Sequence, residues 1–273
     1  MADLVTSARR APQRANDLDG KTWTRYSISI WSDLKRTKEE AQWGHPAIFP
    51  QALAGRLIDC FTTQTQRTIL DPFAGIGSTL LAACERGKHA IGLELNGDYA
   101  AIARVRLAAQ SLSTPGSAEI HVADARDLLR YVSPESIDLV VTSPPYWDIL
   151  RRRRTADART IRHYGDHEGD LGTIADYDEF LAALAGIFQD VFLSLRPGAY
   201  ACVVVMDLRK GDRFYPFHSD LAAALTQIGY VYDDLIVWDR RQEYNFLRPL
   251  GYPAVFRINK VHEFILLLKK PTL

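Results

Sequence analysis

The stretch RTILDPFAGIGSTLLAACERGKHAIGLELN, residues 67–96, decides the fold. Its first part, RTILDPFAG, reads as a buried strand running into a glycine turn. STLLAACERG reads as an apolar helix closed by Gly87. KHAIGLELN is a second strand. The pattern then repeats outward: GDYAAIARVRLAAQSL reads as a helix, AEIHVAD as a strand and SIDLVVTSPPY as a strand stopped by two prolines. DYDEFLAALAGIFQDVFLSL is a long amphipathic helix ended by Arg196, Pro197 and Gly198. AYACVVVMDL is a strand, FHSDLAAALTQIGY a helix, and YDDLIVWDR and VHEFILLLKK are strands. Strands alternating with helices predict an α/β fold with a doubly wound, mostly parallel sheet and helices on both faces. The last two strands lack a helix between them, so they are expected to pair antiparallel. Upstream, TWTRYSISIWSDLKRTKEEAQW mixes a short β-like run with a polar helical one. The expectation is seven strands in one domain over residues 21–273, preceded by a flexible arm over residues 1–20, with recognition loops inserted after strands.

The chain of 273 residues is long enough to bury a large core. Its 33 basic residues balance 33 acidic ones, so any affinity for an anionic partner must come from local charge, not net charge. Cys60, Cys84 and Cys202 form no CxxC pair and sit in apolar runs, as buried reduced thiols do. No apolar run approaches the ~20 residues of a membrane span. A cytoplasmic location and no membrane partner are therefore expected. The seven histidines show no metal-ligand spacing with the cysteines, and no metal is expected.

In open α/β sheets ligands bind beyond the carboxyl ends of the strands, near the point where strand order reverses. The first strand ends in DPFAGIGST, residues 71–79, where Gly75 and Gly77 permit a tight turn before a helix N-terminus. Nineteen residues after Gly75, Glu94 ends the second strand, placed to accept from both hydroxyls of a ribose. Asp124 ends the third, placed to accept from the exocyclic amine of an adenine. Taken singly, the carboxylates also read as helix caps and the glycines as turn residues. The turn lacks the complete GxGxxG pattern, and no GxxxxGK[ST] is present. An adenosine without phosphates points to S-adenosyl-L-methionine.

Together, DPFAGIGST, LELN, the acidic AD pair and TSPPYW resemble the amino-methylating DNA methyltransferases, which act on N4 of cytosine or N6 of adenine. HPAIFP, residues 45–50, followed by QALAGRLIDCFT, resembles the family segment that closes over the methionine end of the cofactor. The likeness runs over residues 31–269, and its specific part is the (Asp/Asn/Ser)-Pro-Pro-(Tyr/Phe) tetrapeptide. Many family members run these motifs in the opposite order, so the chain looks circularly permuted relative to them. The resemblance implies a Rossmann-like class I methyltransferase fold. It implies an S-adenosyl-L-methionine site formed by His45, Pro46, Asp71, Phe73, Ala74, Gly75, Gly77, Thr79, Glu94, Asp124 and Ala125.

The same resemblance assigns catalysis to Ser143, Pro144, Pro145 and Tyr146. An exocyclic amine is a poor nucleophile because its lone pair is delocalised into the base. Ser143 Oγ and the Pro144 carbonyl would accept its protons and encourage tetrahedral geometry, and the fixed proline φ would hold that carbonyl in place. Tyr146 would stack on a base flipped out of the duplex. The plainer reading of the same residues is a Pro-Pro strand stop with core aromatics. Ser at 143 goes mostly with cytosine-N4 enzymes in the family, and Asp or Asn mostly with adenine. Adenine N6, or a catalytically silent binder of DNA or a partner, are the competing readings.

Trp147 and the run Arg151, Arg152, Arg153 and Arg154 are expected to contact DNA, the arginines gripping phosphates. Alone, such a run also reads as a solvated face. Residues 207–218 and 239–260 form two further basic-aromatic loops after strand ends, on the cofactor side. His262 and Glu263 in the last strand read as structural. Expected partners are DNA, with a second copy of the chain and a separate cognate restriction endonuclease as further candidates.

Overall fold

The computed structural model describes residues 14–43, 49–110, 115–148, 169–243, 254 and 257–272. The strand–turn–helix–strand unit is present as β2 (Thr68–Asp71), α4 (Ser78–Glu85) and β3 (His89–Glu94). Before it come α1 (Gly20–Tyr26), β1 (Ile30–Trp31), α2 (Lys38–Gln42) and α3 (Gln51–Phe61). After it come α5 (Gly97–Gln110), β4 (Ser117–Val122), a 3-10 turn at Ala125–Arg130 and β5 (Ile137–Thr142). The remainder is α6 (Tyr177–Ser194), β6 (Leu195–Val205), β7 (Leu208–Lys210), β8 (Arg213–Tyr215), α7 (Phe217–Ile228), β9 (Val231–Asp239) and β10 (His262–Lys269).

Eight strands form one sheet in the order β1-β9-β10-β6-β5-β2-β3-β4. All neighbours pair parallel except β10, which runs antiparallel to both β9 and β6. The expected seven strands are all there. The eighth is the β-like run before residue 32, which contributes two residues alongside β9. Residues 207–218, read as loop, instead fold back as the two-stranded β7–β8 hairpin. Of the expected flexible arm, residues 14–20 are described and pack on the domain. Asn16 is buried and donates to the Cys60 carbonyl (3.1 Å), and Asp19 caps α1 through the amides of Lys21 and Thr22.

All six residues of β5 are buried, as a central parallel strand covered on both faces requires. Leu139 and Val141 pack with Ile69, Val204 and Ile265 under α3 and α4. Val140 packs with Leu70, Val203 and Leu266 under α6 and α7. Order reverses between β5 and β2, so the carboxyl ends of β2, β3, β4 and β5 converge on one edge. Being antiparallel, β10 brings its first residues, His262 and Glu263, to that same edge.

Candidate active site

A cleft opens to solvent at this switch point. Phe73, Ala74 and Gly75 from the turn after β2 line it, with Glu94 and Asn96 after β3 and Asp124 and Ala125 after β4. Ser143 and Pro145 after β5 complete the wall, facing Phe49 and Ile187. Gly75 and Gly77 take positive φ (53° and 84°), which lets the chain turn and start α4 directly at Ser78.

Glu94 is 7% exposed. Its Oε2 accepts from the Gly75 amide and its Oε1 from the Asn96 amide, both at 2.8 Å. Burial pushes its carboxyl up to about 7, against those two bonds, with the Asp71 and Asp170 charges adding to the rise. Asp71 lies beneath the turn. Its Oδ1 accepts from Thr142 Oγ1 (2.6 Å) and the Phe73 amide (3.1 Å), and burial raises it to about 6. Asp124 caps the turn Ala125–Arg130 through the Arg126 amide and holds the Arg126 guanidinium at 2.5–3.1 Å. Burial would raise its carboxyl, but these bonds to Arg126 outweigh it and hold the group below its usual range.

Among the described residues no Lys or Arg lines the cleft, while Glu94, Asp124 and Asp170 do. Such a lining offers a phosphate no cationic side chain, and its carboxylates favour a cation. An adenosine carrying a sulfonium fits this donor and acceptor set, with Glu94 at the ribose and apolar walls from Phe49, Phe73, Ala125 and Ile187.

Several expected residues are placed differently. Thr79 is fully buried and donates to the Val141 carbonyl (3.1 Å), tying α4 to β5 and leaving the cleft lining to its neighbours. Trp147, expected at DNA, is 4% exposed. Its φ of 49° turns it inward, where Nε1 donates to the Ile174 carbonyl (2.8 Å) and the ring packs edge-on against Tyr177 and Tyr215. It is a core residue that anchors the Pro-Pro turn. Tyr146 is half-buried and touches Phe217 edge-on. His45, Pro46 and Arg151–154 lie outside the described residues, as does most of the expected second recognition loop.

Other contributors escaped the sequence reading. Gly169, Asp170 and Leu171, downstream of the arginine run, also line the cleft. Glu263, read as merely structural, is 5% exposed and accepts from Tyr146 Oη (3.0 Å), which also lies 3.0 Å from Ser143 Oγ. A lone acid inside the apolar strand HEFILLLKK was the signal, since a buried carboxylate demands partners.

The fold and cleft define an α/β protein with an acid-lined cleft beside a polar Ser-Pro-Pro-Tyr turn. A family model described as DNA methylase, of the N6/N4 amino-methyltransferase type, matches residues 6–105 and 137–272, and the chain belongs to that family. The type II methyltransferase M.ScaI of Streptomyces caespitosus is 39% identical over 84 residues, covering 31% of this chain and 27% of that protein. The type II methyltransferase M.HindIII of Haemophilus influenzae is 44% identical over 96 residues, covering 31% of each. The match thus spans about a third or less of these relatives' length. The fold is shared with an S-adenosylmethionine-dependent O-methyltransferase of Thermotoga maritima, at a TM-score of 0.50, 10% identity, 86% of this chain and 71% of that one.

Proposed function

We propose that the protein is a site-specific DNA methyltransferase that moves a methyl group from S-adenosyl-L-methionine to an exocyclic base amine, N4 of cytosine in particular. The observation that carries this reading is the juxtaposition, in one cleft, of the Glu94 carboxylate with Ser143 and Pro145 of the Ser-Pro-Pro-Tyr turn. When bound, S-adenosyl-L-methionine supplies an electrophilic methyl: its C–S bond breaks as the N–C bond forms, S-adenosyl-L-homocysteine leaves and the amine proton passes to water. Glu94 accepts from the ribose hydroxyls and Asp124 faces the adenine. Ser143 Oγ and the Pro144 carbonyl accept from the amine, drawing its nitrogen toward tetrahedral geometry, and the two prolines keep that pair aligned with the cofactor pocket. The target base reaches them by leaving the stack, at a cost of a few kcal/mol. Tyr146 gives it an aromatic wall worth about 1–3 kcal/mol. The arginines at 151–154 hold the flanking phosphates.

Cytosine is preferred because position 143 carries serine. The test is mass spectrometry of nucleosides from DNA incubated with purified protein and S-adenosyl-L-methionine. N4-methylcytosine is expected. N6-methyladenine would keep the chemistry and overturn the choice of base, and no mark on several genomic DNAs would overturn the DNA reading.

A further inference from the structure

A serine hydroxyl both donates and accepts. It reads an amine only when its own proton points elsewhere. At Ser143 that proton is placed by a chain of bonds leading away from the cleft. Glu263 is a buried carboxylate paired with Arg240, which also binds Glu243 at 2.6 Å. Tyr146 Oη lies 3.0 Å from Glu263 Oε2 and 3.4 Å from the Val204 carbonyl. Both partners only accept, so the single phenolic proton goes to them. Ser143 Oγ is 3.0 Å from the same Oη, and with the phenol's proton spent Ser143 must be the donor in that bond. Toward the cleft it lines, Ser143 then presents lone pairs alone.

We propose that Glu263 and the Tyr146 hydroxyl are positioning residues that fix Ser143 as an obligate hydrogen-bond acceptor. The site thereby takes a base that offers an exocyclic amine and refuses one that offers a carbonyl at the same edge. This rests on the DNA-amine reading and deepens it by making discrimination against deaminated bases a property of the pocket. Cytosine would be accepted and uracil refused, or adenine accepted and hypoxanthine refused. A buried carbonyl set against lone pairs leaves both groups unpaired, which weakens binding about tenfold. Neither residue need touch the substrate for this effect, since both act through Ser143.

The experiment uses the duplex found to be methylated by the wild-type protein and a second duplex with the target base replaced by its deaminated counterpart. The affinity ratio for the two is measured in wild type, Tyr146→Phe, Glu263→Leu and Glu263→Gln. Comparing ratios between variants cancels the different pairing strengths of the two free duplexes. Tyr146→Phe keeps the ring and frees the serine proton, so the ratio should move about tenfold toward the carbonyl base, with S-adenosyl-L-methionine affinity unchanged. Glu263→Leu should move it the same way by a smaller factor, since the Val204 carbonyl still accepts at 3.4 Å, whereas Glu263→Gln, whose amide oxygen still accepts, should retain the wild-type ratio. Tyr146→Phe should also slow methyl transfer about five- to tenfold in wild type and less than about twofold in a Ser143→Ala background, because its effect passes through that hydroxyl. An active wild type whose ratio is unmoved by Tyr146→Phe overturns the inference alone. Equal slowing in the Ser143→Ala background does the same. A wild type that methylates no duplex overturns this inference and the DNA reading together.

Discussion

Glu94 shows what burial does to a functional carboxylate. Its folded-state value of about 7 lies above the ordinary 4.5, so between those values the folded protein holds more protons than the unfolded chain. Stability from this source is full below about 4.5 and is lost as pH rises through about 7. Cofactor binding runs the other way. Ribose hydroxyls donate, so they select the ionised carboxylate, and affinity should rise by about tenfold per pH unit up to about 7 and then level off. Titration calorimetry with S-adenosyl-L-methionine from about pH 5.5 to about pH 8.5 checks this, and Glu94→Gln should flatten the profile while weakening binding about tenfold or more. Trp147 makes the opposite point. Its exposure of 4% and its packing against Tyr177 and Tyr215 assign it to stability. Trp147→Ala should lower the unfolding free energy by about 3–5 kcal/mol, read from urea midpoints.

At the level of elements, the turn after β4 and the short segment at 169–171 are locked together. Gly169 has φ of 97°, and a Cβ added there would sit 2.3 Å from Asp124 Oδ2 and 2.5 Å from an Arg126 guanidinium nitrogen. Gly169→Ala must therefore displace the Asp124–Arg126 pair and strain its own backbone by about 1–2 kcal/mol. The expected result is weaker S-adenosyl-L-methionine binding with a Tm lowered by a few degrees, measured by calorimetry and thermal melts. The sequence revealed β2, β3 and β5 readily as apolar runs closed by glycine, acid or proline, and β4 as an alternating run closed by Asp124. It showed β1, which is two residues long, only as a β-like run, and it hid the β7–β8 hairpin, whose strands have three residues each. Runs that short carry no measurable period. Glycine and carboxylate at strand ends could be assigned to the cleft from their positions alone. The direction of Trp147 could not, since it hangs on a single positive φ in the turn.

For the whole molecule, the carboxyl edge of the sheet gathers the cleft, the Ser-Pro-Pro-Tyr turn, the β7–β8 hairpin and the ends of β9 and β10. The proposed grip of the arginine run at 151–154 on DNA phosphates is tested by substitution. Replacing those four residues with alanine should reduce DNA affinity. It should also lower the slope of log affinity against log salt by about 0.9 for each phosphate that is no longer neutralised. Fluorescence anisotropy at several salt concentrations measures it, and an unchanged slope would return the run to solvent. Glu263 is marked locally as a buried acid, but its partner was beyond local reading because Tyr146 is 117 residues away. The sheet order has one more consequence. β9 and β1 join the remaining strands only through β10, although β10 follows both along the chain. During synthesis, a ribosome-bound chain that has not yet reached residue 263 already carries every residue of the cofactor turn, yet its Tyr146 has no carboxylate to hold, and β1 and β9 have no strand through which to join the rest of the sheet.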